Sequence, residues 1–272
     1  MYKRQHESRI WLRNDKPMTV APSAVAVPDY YADIPIVREG IARKYSNIEA
    51  LDKEVGVLLD LVEADGVMEN SVIFFWSDHG GNLLRQKRAV GDSGLHVPLI
   101  IRYPNGYRAG ETESRMVSLM DLGPTVLSLT GQKPPKYMDG KAFAGPFEEA
   151  PRDYIFGSAD RFDESTDMQR SVLDGRYVYI KNFMPELPLI YRNRYREQIP
   201  MNKHLIELDA EGKLEGDAAY IFMKTKPQEE LYDLKNDPYE VHNLANDPAH
   251  AEKLKEMSTP VSYTHLTLPT KA

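Results

Sequence analysis

SVIFFWSDHGG, Ser71 to Gly81, is the stretch on which the fold turns. Its first half is a short, β-rich apolar run, too short for a helix and bounded by polar residues, which predicts a buried strand. Its second half sets Ser77, Asp78, His79, Gly80 and Gly81 at the carboxyl end of that strand, where ligand sites gather in open α/β sheets. Asp78 offers a carboxylate and His79 an imidazole, both competent metal ligands, and two glycines let the backbone turn tightly beside an ion. The same five residues also suit an ordinary strand-ending turn in which Asp78 and His79 make local hydrogen bonds, and the string alone does not separate the two.

Upstream, Val37, Ile41, Tyr45, Ile48, Leu51, Val55, Leu58 and Val62 recur at steps of three and four, the period of an amphipathic helix that Gly66 then ends. Before it, His6 to Asp33 is polar and broken by Pro17, Pro22 and Pro28, which predicts an irregular segment. Downstream, VPLIIRY (Val97 to Tyr103) is a second strand, and MDLGPTVLSLTG (Met120 to Gly131) is a helix stopped by Gly131. The alternation predicts the α/β class, with a parallel sheet covered by helices. Beyond Gly145 the pattern shifts. MQRSVLDGRYVYIKNF places two strands around Asp174 and Gly175, a pair suited to a hairpin turn, and EELYDLKNDPYE is a strand followed by a turn at Asn236, Asp237 and Pro238. The expected organisation is an α/β domain over residues 6–150 and a smaller antiparallel region with a helix over 151–259, the helix running from about Pro248 to Met257.

The 272 residues are 42% hydrophobic and 28% charged, enough for a substantial core, and a net charge of −7 gives no electrostatic reason to expect nucleic acid or an anionic membrane. The chain has no cysteine, which excludes disulfides, thiolate metal sites and a cysteine nucleophile within these residues. No apolar run approaches the roughly 20 residues that span a bilayer, and MYKRQHESR is no signal core. Both ends read as foreign. VSYTHLTLPT, Val261 to Thr270, resembles a translated DNA-library adapter, and MYKRQ, Met1 to Gln5, its opposite strand, so residues 1–5 and 260–272 are expected to be adapter-derived.

RQKRAVGDSGLHVPLII, Arg85 to Ile101, taken together with SDHGG, resembles the sulfatases of the alkaline phosphatase superfamily, in which a metal motif precedes a lysine and a glycine-rich approach to the next strand. The helix before SDHGG, VSLMDLGPTVLSLTG after it, and the later DRFDE, RYVYIKNF and ELYDLKNDPYEVHNLA segments resemble their sulfatase counterparts in order and spacing, with bacterial heparan N-sulfatase (sulfamidase)-like sequences the nearest in character. The resemblance implies an alkaline-phosphatase-like sheet with flanking helices, here incomplete. It implies that Asp78 and His79 ligate a divalent metal, calcium in most sulfatases. Many members carry asparagine where His79 stands, and an imidazole also suits manganese or another transition ion.

By the same resemblance Lys87 contacts the sulfate, a compact charge able to stabilise extra negative charge in the transition state, with Arg88 the alternative one residue on. His6 corresponds to a histidine that binds sulfate or protonates the departing group. Asp92 and His96 read as supporting or structural. Asp160, Arg161, Asp163 and Arg170 either reach an anionic sugar, with Arg161 and Arg170 as its contacts, or form a solvated charged loop. The formylglycine nucleophile that sulfatases make within a C-x-P-S-R or S-x-A-S-R motif is absent, as are the earlier acidic ligands, so these residues alone are expected to hydrolyse no sulfate ester. The resemblance implies a sulfated carbohydrate or aryl sulfate as substrate and a periplasmic or extracellular location. A phosphonate or phosphate ester hydrolase of the same superfamily and a non-catalytic carbohydrate-binding domain are the competing readings.

Overall fold

The computed structural model describes residues 17–162 and 165–266. After a single 3-10 turn at Pro22–Ala24 come α1 (Pro35–Ala64), β1 (Ile73–Trp76), α2 (Asp92–Leu95), β2 (Leu99–Arg102) and α3 (Leu122–Leu129). Then follow β3 (Ile155–Phe162), β4 (Ser165–Leu173), β5 (Tyr177–Asn182), α4 (Pro200–Ala210), α5 (Asp217–Tyr220), β6 (Glu229–Asp233) and α6 (Ala251–Leu266). β1 pairs with β2, and β3 to β6 form a second sheet in sequence order with β6 antiparallel to β5. Helices with a smaller antiparallel sheet are as the sequence predicts, but the parallel pairing is not observed: β1 and β2 run antiparallel, Ile73 opposite Arg102 and Trp76 opposite Leu99. A parallel return needs a crossover, usually a helix laid along the sheet. The link between these strands holds only the four-residue α2, and the chain simply folds back.

By contacts the described residues form two units, which do not follow a single cut in the sequence. The first holds the described residues up to Ala109 with Ala159–Met168 and Asn182–Gln228. Here α1 starts at Pro35, whose fixed φ suits a first helical position, and ends before Gly66, at φ +69°. Gly40 lets α1 approach α4, since a Cβ there would lie 2.6 Å from Met201 Sδ. Ser46 Oγ accepts the backbone N–H groups of Thr19 and Val20, tying the preceding segment to the helix. All buried α1 residues lie between Val37 and Asn47. The second half of that helix, β1 and β2 contain no buried residue, although they carry Val57, Leu61, Trp76 and Ile100. Two strands alone are marginal in water, so this pair offers apolar faces that a larger sheet would cover.

The second unit comprises Gly110–Ser158, Gln169–Lys181 and the described residues from Glu229 onward. α3 ends as predicted, with Gly131 at φ +76° and Gln132 N–H bonded back to Leu127 O. The hairpin turn is also as predicted: Gly175 has φ +93°, and Asp174 Oδ1 accepts the N–H groups of Arg176 and Tyr177. Val172, Tyr179, Leu231, Met257 and Val261 form its core. α6 runs past Met257 to Leu266, so the helix continues into the stretch read as adapter-derived, and Val261 is buried.

One ion pair gives this unit a defined acid response. Arg176 Nε and Nη2 donate to Asp233 Oδ1 and Oδ2 at 2.8 and 2.6 Å, the carboxylate being 5% exposed. The guanidinium, outweighing burial and helped by the Lys235 N–H and Asn236, holds the Asp233 carboxyl down at about 2. A depressed folded pKa stabilises above the unfolded value and ceases to do so as pH falls through the folded one. Thermal midpoints are therefore expected to drop between about pH 4 and pH 2. Asp233→Asn should lower the midpoint at neutral pH and flatten that acid slope.

Candidate metal and anion site

β1 delivers Ser77 to Gly81 at its carboxyl end, and a set of hydrogen bonds closes the residues that follow into one compact loop within the first unit. Ser77 Oγ donates to His79 O (2.8 Å), Gly80 N–H to Gly94 O (2.9 Å), and Lys87 N–H to Gly81 O (2.7 Å). The last bond brings the predicted lysine back against the metal motif from six residues further on. Ser93 Oγ donates to Arg85 O at 2.6 Å, and Tyr31 Oη donates to Leu84 O. Asn82 to Arg85 are buried and Gln86 to Ala89 are partly buried, so the loop is rooted in the core.

Two glycines make this closure possible. A Cβ on Gly80 would lie 2.2 Å from Ser93 O, and one on Gly94 would lie 2.2 Å from Ala89 O, both backbone atoms that no rotamer change can move. Gly80→Ala is expected to cost about 1–3 kcal/mol through forced backbone displacement. Gly56→Ala, on the open face of α1 with nothing within 4 Å, should instead stabilise by about 0.5–1 kcal/mol. Chemical denaturation of the two variants side by side checks both signs.

Asp78 Oδ2 and His79 Nε2 lie 3.5 Å apart on partly exposed side chains. His79 Nδ1 is 2.8 Å from Gly80 O, a contact that is a hydrogen bond only with the proton on Nδ1; in the neutral ring Nε2 then carries its lone pair on the Asp78 side. At that spacing the two donors fit as adjacent ligands of one cation. They form an incomplete set: calcium takes six to eight oxygens, and among the described residues no group of three or more His, Cys, Asp or Glu converges.

Two cations, Lys44 from α1 and Arg85 of the loop itself, stand close to these residues. Lys44 of α1 donates to Gln86 Oε1 at 2.9 Å, and its Nζ would lie 2.6 Å from a Cβ on Gly81. Arg85 stacks over the Tyr30 and Tyr220 rings at 5.2 and 5.8 Å. None of these partners carries a sequence signal, because each contact joins residues distant along the chain.

Of the other predicted residues, His96 and Asp92 form a local pair at 3.2 Å, whose hydrogen bond raises the His96 pKa. Arg88 is half-buried with φ +77°. Arg161 and Asp160 are exposed on β3 in the first unit, whereas Arg170 lies on β4 in the second, its guanidinium donating to Gln169 O at 2.8 Å. His6 and Asp163 fall outside the described residues. Among the described residues no helix is long and apolar enough to cross a membrane.

Comparison with known proteins places these residues in context. Residues 7–132, which contain the whole loop, match the family model Sulfatase. The chain is 44% identical over 231 residues to an ulvan-active sulfatase of Formosa agariphila, covering 85% of this chain and 39% of that protein. It is 26% identical over 254 residues to human N-sulphoglucosamine sulphohydrolase, covering 88% and 50%. Among solved structures, the phosphonate monoester hydrolase of Agrobacterium radiobacter shares the fold with a TM-score of 0.59 at 21% identity, covering 85% of this chain and 42% of that one. The chain thus spans half or less of the length of these proteins, and the alkaline-phosphatase-like architecture expected from the sequence is the one it shares with its structural neighbours.

Proposed function

We propose, from the premise that the chain belongs to the sulfatase family, that the whole protein containing it hydrolyses the sulfate of a sulfated carbohydrate. One observation carries this: a carboxylate, an imidazole and a lysine lie on one closed turn, Asp78 to Lys87, wholly inside the family-matched residues. In the full active site a formylglycine from outside this chain would supply the nucleophile, and a divalent cation, calcium by family habit, would act as Lewis acid. This chain's own part is electrostatic. Asp78 and His79 contribute two of the cation's ligands, and Lys87 balances negative charge gathering on the sulfuryl oxygens. His6 is assigned the proton for the departing oxygen or nitrogen, and Arg161 and Arg170 contacts to an anionic sugar. A periplasmic or extracellular location follows from the family.

The fold shared with a phosphonate monoester hydrolase supports a second reading, phosphonate ester hydrolysis. Release of inorganic sulfate from ulvan, N-sulfoglucosamine and 4-nitrophenyl sulfate by the whole protein, set beside turnover of 4-nitrophenyl phenylphosphonate, tests the choice. Preferential hydrolysis of the phosphonate would sink the sulfatase assignment. The present chain alone should turn over none of them, but calcium should raise its thermal midpoint, an effect expected to vanish in Asp78→Ala. Indifference to calcium would favour a carbohydrate-binding domain in which SDHGG is only a turn.

A further inference from the structure

We infer that Arg85 is a positioning residue that sets the direction of Lys87, an inference that rests on the reading of Lys87 as the sulfate-binding cation. Arg85 ends the buried run of the loop: Asn82 to Arg85 are buried, with Arg85 8% exposed, and the partly buried Lys87 follows two residues later. Its φ of +64° lies in the left-handed region, which glycine adopts freely and a long side chain does not. An arginine here is strained, so the surroundings must hold it there.

They do so from three sides. The guanidinium lies over the Tyr30 ring, just before α1, and over the Tyr220 ring, the last residue of α5, at 5.2 and 5.8 Å from their centroids. Ser93 Oγ fixes the Arg85 carbonyl at 2.6 Å, and the buried Tyr31 hydroxyl fixes the preceding carbonyl, that of Leu84. On the far side of Lys87 the chain passes through a second left-handed arginine, Arg88, at φ +77°. Lys87 therefore sits between two backbone pivots, its own N–H bonded to Gly81 O at 2.7 Å, and the pivot before it is held by a side chain whose guanidinium lies over two aromatic rings. Nothing requires the Arg85 guanidinium to touch substrate; it acts through the backbone.

In the whole protein Arg85→Gly keeps the backbone conformation accessible while deleting the clamp. With 4-nitrophenyl sulfate, kcat should fall about tenfold or more with KM held within about twofold, as expected when a catalytic group is displaced rather than removed. Arg85→Lys, which keeps a cation over the rings, should recover much of the loss. Tyr220→Leu should lower kcat alone yet add little to Arg85→Gly, and Arg85→Gly should have no further effect in a Lys87→Ala background. An unchanged kcat in folded Arg85→Gly, or a full additional loss on top of Lys87→Ala, overturns the inference. If Arg85→Gly does not fold, Tyr220→Leu carries the test, and its unchanged kcat overturns the inference equally. Should Lys87→Ala itself leave kcat intact, the assignment of Lys87 fails and this inference with it. A crippled Lys87→Ala beside a normal Arg85→Gly removes the positioning role alone.

Discussion

Lys87→Ala in the whole protein is expected to lower kcat by about 10²–10³-fold, the cost of removing one preorganised group that faces developing negative charge. The loss should appear mainly in kcat, because extra charge on the sulfuryl oxygens accumulates on the way to the transition state. The bond that closes the loop survives the substitution, because it uses the Lys87 backbone N–H to Gly81 O, which alanine retains. Lys87→Arg should rescue poorly, since a planar guanidinium cannot replace a compact ammonium on a loop whose direction is set by neighbouring residues. Arg88→Ala serves as the register control and should change kcat by no more than a few fold. If Arg88→Ala is the crippled variant and Lys87→Ala is not, the sulfate-binding cation has been assigned one residue too early.

Asp121→Ala is expected to cost about 3–5 kcal/mol, the loss typical of breaking a buried ion pair from one side. Asp121 is 2% exposed. Its carboxylate accepts Ser118 N–H at 2.9 Å, Lys141 N–H at 2.7 Å, Arg152 Nε at 2.9 Å and Arg152 Nη2 at 2.5 Å. Burial pushes this carboxyl up, but the Arg152, Lys141 and Ser118 donors together outweigh it and hold the pKa below the ordinary carboxylate value. Alanine leaves two backbone N–H groups and a guanidinium that is 18% exposed without their shared acceptor. By the sign that applies to Asp233, this stabilisation is present above the unfolded carboxylate pKa and fades as pH falls below it. Urea denaturation at neutral pH measures the loss, and a deficit below about 1 kcal/mol would mean that the surroundings relax to rehydrate the orphaned donors.

The features legible in the sequence share a physical character: each is encoded by residues within about one helical turn of one another. The three-to-four spacing of α1, Gly131 as the stop of α3 and the Asp174–Gly175 turn all appear as read, whereas the apolar run of β1 forms a strand but not the buried one it predicts, because among the described residues only β2 pairs with it. Asp78 and His79 are neighbours on the chain, and their convergence needs only the turn that Gly80 and Gly81 permit. β3, α4 and α5 were not legible: short segments with mixed polarity carry too little period to stand out, and the packing of Met201 against Gly40 holds α4 in place. The extension of α6 past Met257 is likewise a packing effect, with Val261 buried beside Val172, Tyr179 and Leu231.

By itself the sequence determined the class of the fold, the strand end on which Asp78 and His79 stand and the family to which these motifs belong, because local pattern and residue chemistry suffice for each. Only the tertiary structure decided the antiparallel return of β2, the closure that brings Lys87 to Gly81, the ammonium of Lys44 over that glycine and the clamp of Tyr30 and Tyr220 on Arg85. Those depend on which distant segments meet, and packing of the whole unit, rather than any short-range preference, sets that choice.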